Sequence, residues 1–145
     1  MNIRAITTDD IPACVRLFMK TYNQPPWRYQ WSPEKAERYL IEYMESKQFV
    51  GFVVPDGEEM AAAIFSHTKT WWTKDQLYVD ELFVSPDRQR SGHGKALLEH
   101  TAAWCRENGF PTIFLMTNKF MPAFKFYNKH DFSLAEHFVF FFKEA

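Results

Sequence analysis

The sequence predicts one α/β (α+β) domain over residues 1–145, with a mixed, mostly antiparallel twisted sheet flanked by helices. Three observations predict this class. A chain of 145 residues suits a single hydrophobic core. No internal repeat or low-complexity segment marks a boundary. The predicted strands mostly follow one another through turns, and one strand–helix–strand unit adds a parallel neighbour.

The first third of the chain predicts a strand, a helix, an aromatic loop and a second helix. Residues 2–7 are expected to form the strand. Apolar side chains then recur at helical spacing, at Ile11, Val15, Phe18 and Tyr22. Two prolines within residues 23–27 end this helix. Ser32 and Pro33 are typical of a helix N-cap and a first-turn proline, so they predict the start of the second helix.

The middle of the chain predicts three strands and a helix. Residues 49–54 and 60–68 are rich in strand-forming residues, and an Asp–Gly turn between them indicates a hairpin. Residues 77–84 predict the next strand, which ends before Pro86. A glycine-containing turn and a helix follow, and Gly109 is expected to close that helix.

The last part of the chain predicts a strand over residues 112–117 and a helix over residues 122–130, where Pro122 is tolerated in the first turn. Residues 132–143 are expected to supply the last strand or pair of strands. Within them, the apolar run at residues 138–142 predicts a buried strand, which could also support a homodimer.

Composition argues against several classes of protein. A net charge of −1 gives no basic surface for nucleic acid or anionic membranes, so neither is expected as a partner. Cys14 and Cys105 form no C-x-x-C pair and the five His do not cluster with them, so no metal site and no disulfide are expected. No apolar run has the length of a signal or membrane span, and we expect a cytoplasmic protein.

The most informative segment lies between the strand ending at Val84 and the following helix. It reads Gln89, Arg90, Ser91, Gly92, His93 and Gly94. A helix start exposes unpaired N–H groups and attracts phosphate, and glycines let the backbone curl around an anion. Arg88, Arg90 and Lys95 add positive charge, whereas His93 is expected to be exposed to solvent.

Two other nucleotide-binding motifs fail here. Leu97 stands where the dinucleotide fingerprint needs its third Gly. Gln89 and Ala96 stand where a P-loop needs Gly and Ser or Thr. A plain alternative stays open, in which the glycines only build a tight strand-to-helix turn.

Two motifs in order resemble the GNAT superfamily of acetyltransferases. In that family a strand ending in V-x-P leads to Q/R-x-x-G-x-G/A and a helix, as at Val84 to Pro86 and Gln89 to Gly94. The family's A-x-x-F-Y-x-K-x-G-F resembles the segment from Ala123 to Phe132, which contains Tyr127. The resemblance covers almost the whole chain.

The resemblance implies acetyl-coenzyme A as the cosubstrate. Backbone N–H groups around Gln89 to Gly94 would hold its pyrophosphate, with Lys95 beside them as a further cofactor contact. The strand through Leu82, Phe83 and Val84 would pair with its pantetheine arm. Asn118 would contact the cofactor, but it lies nine residues before Tyr127, two more than in the family. Asp131 also replaces the usual Gly.

Acetyl transfer to an amine needs a base, since alkyl ammonium groups have a pKa near ~10.4 in water. Glu81 is favoured, directly or through a water, and the adjacent Asp80 is the alternative; the pair resembles the acidic pair of polyamine acetyltransferases in this family. Successive strand side chains point to opposite faces, so only one of them faces the site unless a bulge turns the strand. Either could instead only attract a cation. Tyr127 stands where the family places its general acid, although it could be a packing residue.

The resemblance also assigns the oxyanion donor to the backbone N–H of Val84. No Ser or Cys joins a His in a triad, which favours direct attack in a ternary complex over an acetyl-enzyme. The acceptor is expected to be a small cationic amine, because aromatic faces suit cations. The candidate aromatic residues, which could equally be structural, are Trp27, Trp31, Trp71 and Trp72.

Three alternatives stay open at this point. The enzyme could acetylate a protein or peptide amine, which needs an open groove. The chain could be a non-catalytic acyl-coenzyme A-binding regulatory module. It could also be an unrelated domain that binds a phosphate ligand.

Overall fold

Five strands form one sheet whose spatial order follows the chain, β1-β2-β3-β4-β5. In this computed structural model, which describes residues 1–145, they are β1 (Arg4–Ala5), β2 (Phe49–Asp56), β3 (Glu59–Lys69), β4 (Gln76–Val84) and β5 (Thr112–Leu115). The first four pair antiparallel and β5 pairs parallel to β4. The predicted mixed, mostly antiparallel sheet is confirmed.

Four helices flank the sheet, and their ends follow local sequence rules. They are α1 (Ile11–Tyr22), α2 (Pro33–Met44), α3 (His93–Asn108) and α4 (Pro122–Lys129), with single 3-10 turns at Thr8–Asp10 and Pro86–Arg88. The Ser32 hydroxyl accepts the Lys35 N–H at 3.2 Å, as expected of an N-cap. Gly109 ends α3 at φ +84°, a left-handed conformation that glycine adopts without strain.

The sheet is covered on both faces. Between the sheet and α1 and α2 lies one apolar cluster that includes Phe18, Phe65 and Phe83. Between the sheet and α3 lies a second cluster that includes Ile64 and Leu97. Because strand side chains alternate, neighbouring residues of β3 and β4 supply both clusters. Polar residues inside β4 are therefore held between two apolar layers.

The prediction of a buried last strand is wrong. No strand follows α4, and the side chains from Phe138 to Phe142 are 68–85% exposed. Five consecutive apolar residues suit a strand covered on both faces, but such a strand also needs a free sheet edge and two covering layers. β5 spans only four residues, and no helix is left to cover this segment. The first strand is likewise shorter than predicted.

Neither cysteine forms a disulfide. Cys14 and Cys105 are free and buried, and burial raises the pKa of the Cys14 thiol to about 12. No group of three or more His, Cys, Asp or Glu side chains is arranged to hold a metal ion. None of the four helices combines the length and apolar composition that crossing a bilayer requires.

Candidate active site

Strands β4 and β5, at one edge of the sheet, separate partway along β4. Their pairing runs from Gln76 opposite Thr112 to Val79 opposite Leu115, where β5 ends. Beyond Val79, β4 continues to Val84 and pairs only with β3. An unpaired strand edge offers N–H and C=O groups to an extended ligand.

Three residues of this free edge were predicted to contact a cofactor. The side chains of Leu82 and Val84 are partly buried against the α3 cluster. The Phe83 side chain is 1% exposed and packs against Phe18, Tyr22 and Phe65. Phe83 can therefore reach a ligand only through its backbone.

A β-bulge brings the two acidic residues of β4 together. Phe65 lies opposite Glu81 and Ser66 lies opposite Val79, so Asp80 is the extra residue of β4. Both carboxyl groups lie near Tyr43 of α2. Burial, and then the charges of Asp80 and Glu81, raise the pKa of the Tyr43 phenol. The bulge thus removes the alternation that would have turned one carboxyl away from α2.

The two carboxyl groups have different partners. Asp80 Oδ2 lies 2.7 Å from His67 Nδ1 of β3, and the Asp80 side chain is 14% exposed. Burial raises the Asp80 pKa, and the contact with His67 opposes this. The Tyr39 hydroxyl of α2 donates to Glu81 Oε2 at 3.2 Å. Burial raises the Glu81 pKa to about 7, which suits a group that exchanges protons at neutral pH.

Tyr127 reaches the same centre from α4. Its ring packs edge-on against Phe126 and Phe132, with centroid distances of 5.3 and 5.4 Å. Burial, and then the charge of Glu81, raise the pKa of the Tyr127 phenol. The hydroxyl is therefore protonated at neutral pH and available as a proton donor.

The turn before α3 presents a row of unpaired amides. The N–H groups of Gly92, His93, Gly94 and Lys95 make no backbone hydrogen bond. Arg90 and Gly92 adopt left-handed conformations, with φ of +66° and +83°. Four free amides at the start of a 16-residue helix match the requirement for holding a phosphate.

His93 contradicts the expectation that it is exposed. The side chain is half-buried, because the residue belongs to the first turn of α3 and not to an open loop. Its Nδ1 is buried and has no hydrogen-bond partner in the protein. A buried polar atom of this kind normally has a partner, and with a proton on Nδ1 it can donate to a phosphate oxygen. The turn therefore fits a coenzyme A pyrophosphate.

Ion pairs anchor the same turn to neighbouring elements. Arg88 binds Asp56 of β2 at 2.6 Å, and Asp87 binds Lys20 of α1. Lys95 lies 3.8 Å from Glu99, one helical turn further on, and both side chains are exposed. Arg88 and Lys95 each have a carboxylate partner, which leaves Arg90 as the cation of the turn without an ion pair.

The two glycines of the turn have different roles. A Cβ on Gly94 would lie 3.2 Å from Phe126 Cζ and 3.6 Å from Val84 Cγ2. Gly94 therefore lets α3 approach α4, the helix that carries Tyr127. A Cβ on Gly92 would meet no atom within 4 Å, and its requirement for glycine comes from its φ.

The comparison with known proteins agrees with this arrangement. The acetyltransferase (GNAT) family model matches residues 15–132. The chain belongs to the GNAT acetyltransferase family. The ribosomal protein bS18 alanine N-acetyltransferase of Escherichia coli (strain K12) is 28% identical over 114 residues, covering 79% of this chain and 68% of that protein. The resemblance seen in the sequence is confirmed, and the protein is an N-acetyltransferase of this family.

Solved structures share the fold of this GNAT acetyltransferase. A transcriptional regulator from Bacillus halodurans C-125 superposes with a TM-score of 0.79 at 20% identity, covering 99% of each chain. An aminoglycoside acetyltransferase from an uncultured soil metagenomic sample, in complex with sisomicin, gives 0.77 at 22% identity, covering 99% of this chain and 95% of that one.

The two departures from the GNAT motif have structural accounts. Asp131 has a φ of +68°, so it adopts the left-handed conformation that the usual Gly provides; Asp tolerates this better than most residues. Asn118 is exposed, and its Oδ1 accepts the Phe120 N–H at 2.9 Å in the turn before α4. Its Nδ2 and the second lone pair of Oδ1 are left for a ligand.

The four predicted Trp residues of the acetyltransferase divide into two pairs. Trp31 packs against Phe18 and Tyr39 at 5.1 and 5.0 Å, so it belongs to the apolar layer beneath α1 and α2. Trp27 is partly buried against Tyr22 at 5.3 Å. Trp71 and Trp72 lie in the β3–β4 loop and are 51% and 85% exposed.

Sequence reasoning missed the polar neighbours of the two carboxyl groups. His67 was assigned no partner, although it contacts Asp80 across the β3–β4 pair. No role was predicted for Tyr39 and Tyr43 of α2. Their spacing of four residues placed both phenols on one helix face, but no signal linked them to a strand 42 residues further along the chain.

Proposed function

We propose that this GNAT enzyme transfers the acetyl group of acetyl-coenzyme A to the primary amine of a small cationic molecule, by direct attack in a ternary complex. One observation carries the proposal: the Glu81 carboxyl, with a pKa of about 7, lies beside the free edge of β4 and close enough to Tyr127 for its charge to raise the pKa of that phenol, after the larger effect of burial. A base and an acid are the two groups that the reaction needs from the protein.

The residues around the turn before α3 would hold the cosubstrate. The amides from Gly92 to Lys95, which have no partner, would donate to a pyrophosphate, and the unpartnered His93 Nδ1 would support them, with Gln89, Arg90 and Ser91 forming the rest of the turn. The backbone from Leu82 to Val84 offers its free edge to the pantetheine arm. Asn118 would contribute Nδ2 as a donor or the second lone pair of Oδ1 as an acceptor. Acetyl-coenzyme A supplies the acetyl group as a thioester.

Glu81 and Tyr127 would handle the protons. Glu81 accepts the proton of the ammonium group, and the freed amine nitrogen forms a bond to the acetyl carbon. The bond from that carbon to sulfur breaks, and Tyr127 donates its proton to the departing thiolate. The Val84 N–H is assigned to the developing oxyanion. Asp80, which His67 already engages, is assigned to attracting the cationic acceptor.

The preference for a small cation follows from charge and aromatic faces near Glu81. Asp80 and Glu81 lie together, and the rings of Tyr22 and Tyr39 lie close enough for Glu81 to raise the pKa of both phenols, after the larger effect of burial. Anionic and aromatic groups together favour ammonium ions. An aminoglycoside acetyltransferase shares the fold, which supports the same substrate class.

A second candidate acceptor is the N-terminal amine of a protein. A relative with 28% identity over 79% of this chain acetylates the alanine of ribosomal protein bS18. Turnover of acetyl-coenzyme A across polyamines, aminoglycosides, amino acids and alanine-first peptides distinguishes the two acceptors. Binding of acetyl-coenzyme A without turnover on any of these amines would contradict both and favour a regulatory module.

The pyrophosphate turn has a direct test with a matched control. Replacing Gly92 with Val should weaken coenzyme A binding by about 10- to 100-fold, because a branched side chain at φ +83° distorts the amides that hold the phosphates. Gly109→Val places the same strain at φ +84°, at the other end of α3. Calorimetry should show weakened binding for the first variant alone. Equal affinities in both variants would remove the turn from the site.

A further inference from the structure

Three side chains form a hydrogen-bonded row from α2 to β4. The Tyr39 hydroxyl donates to Glu81 Oε2 at 3.2 Å, and the hydroxyls of Tyr39 and Tyr43 lie 3.0 Å apart. A phenol has a single proton to donate. Since Tyr39 donates its proton to Glu81, Tyr43 must be the donor to Tyr39. The row therefore has one direction, from Tyr43 through Tyr39 to the carboxylate.

Tyr39 is held firmly in this position. Its ring packs against Phe18 at 5.5 Å, Trp31 at 5.0 Å and Tyr43 at 5.1 Å. Tyr39 and Tyr43 are four residues apart in α2, so one helix face presents both phenols. The hydroxyl is thus aimed by packing on several sides, which is what holding a reacting group in one orientation requires.

Other ionisable groups around Glu81 have different effects on it. Tyr22 of α1 and Tyr127 of α4 are phenols whose pKa values are raised, by burial first and then by the charge of Glu81. Asp80 of β4 is a second carboxyl whose charge disfavours ionisation of Glu81, and His67 of β3 contacts Asp80. Two phenols favour the charged form of Glu81: Tyr39, through the 3.2 Å hydrogen bond, has the larger effect on its pKa, and Tyr22 acts in the same direction.

We propose that Tyr39 is a positioning residue, which orients the Glu81 carboxyl and stabilises its ionised form, with Tyr43 orienting the Tyr39 hydroxyl. By occupying Oε2, Tyr39 leaves Oε1 for the ammonium proton of the acceptor. The inference rests on the proposed role of Glu81 as the base. It adds that α2, which carries none of the residues of the family motif, lowers the pH at which this base works.

The test compares Tyr39→Phe with the unchanged protein by NMR titration of carboxyls in uniformly 13C-glutamate-labelled protein. Assignment of Glu81 comes from the signal that Glu81→Gln removes. Loss of the donor should raise the Glu81 pKa from about 7 by about one pH unit. The pH profile of kcat/KM for the best amine of the panel should shift with it, so that its acid limb lies about one pH unit higher. At pH values below this limb, kcat/KM should be about tenfold lower than in the unchanged enzyme. Tyr43→Phe should shift both in the same direction by less.

The control is Tyr78→Phe, which also deletes one phenol hydrogen bond, to Gln76 at 2.9 Å. It should leave the Glu81 titration unmoved.

An unshifted Glu81 signal in folded Tyr39→Phe would overturn the inference. Failure of the proposed function would give a different result. If Glu81 is not the base, Glu81→Gln would keep full activity and the same acid limb in its pH profile. If Glu81 is the base but Tyr39 does not position it, Glu81→Gln would be inactive, and Tyr39→Phe would have the same acid limb as the unchanged enzyme.

Discussion

Replacing Glu81 with Gln is expected to lower kcat/KM for the best amine acceptor by about 10²- to 10⁴-fold, the usual contribution of a general base. The amide has the same shape and its oxygen can still accept from Tyr39, so the loss reports proton transfer and not packing. In the unchanged enzyme, activity should rise with pH through about 7, because the carboxyl must be ionised to accept a proton. The variant should lack this acid limb.

Asp80→Asn is the matched control for that experiment. It changes the neighbouring carboxyl of the same bulge, and its amide oxygen can still face His67. We expect a smaller loss, mostly in KM, since Asp80 is assigned to attracting the cation. A larger loss of kcat in Asp80→Asn than in Glu81→Gln would transfer the role of base to Asp80.

Replacing Tyr127 with Phe is expected to lower kcat by about 10²-fold while the affinity for acetyl-coenzyme A stays the same. The ring contacts with Phe126 and Phe132 are kept, so only the proton for the departing thiolate is lost. Initial rates and calorimetry on the same preparation measure the two quantities. Because the pKa of the Tyr127 phenol is raised, the hydroxyl should stay protonated between neutral pH and the ordinary pKa of tyrosine. Deprotonation of Tyr127 should therefore cause no loss of activity in that pH range.

Tyr78→Phe serves as the control for this variant as well, because Tyr78 lies outside the proposed proton path. Its kcat should stay within about twofold of the unchanged enzyme, as is usual for a change away from the reacting atoms. Full activity of Tyr127→Phe would remove the residue from the acid role. A fall in cofactor affinity without a fall in kcat would assign Tyr127 to binding.

Local features of the fold were predictable because their causes are local. The Ser32 cap, the glycine end of α3 and the turn before it depend on a few adjacent residues, and each lies where the sequence placed it. The strand prediction over residues 138–142 failed for the opposite reason. Apolar composition shows what a segment would bury, but not whether a sheet edge is available to it.

The candidate site shows the same division between neighbouring and distant residues. The phosphate turn and the adjacent acids of β4 were recognisable because each is continuous in the chain. The bulge at Asp80, the contact with His67 and the hydroxyl of Tyr39 each need residues 13 to 42 positions apart. A single sequence carries no signal for such pairs, since register depends on how whole strands and helices pack.

By itself, then, the amino-acid order determined the class of fold, the family and the two motifs, because periodicity, caps and turns are written in neighbouring residues. Only the tertiary structure decided which way Asp80 and Glu81 face and how far burial raises the pKa of Glu81. The physical reason is that desolvation and cross-strand hydrogen bonds exist only once α2, β3 and β4 are packed together.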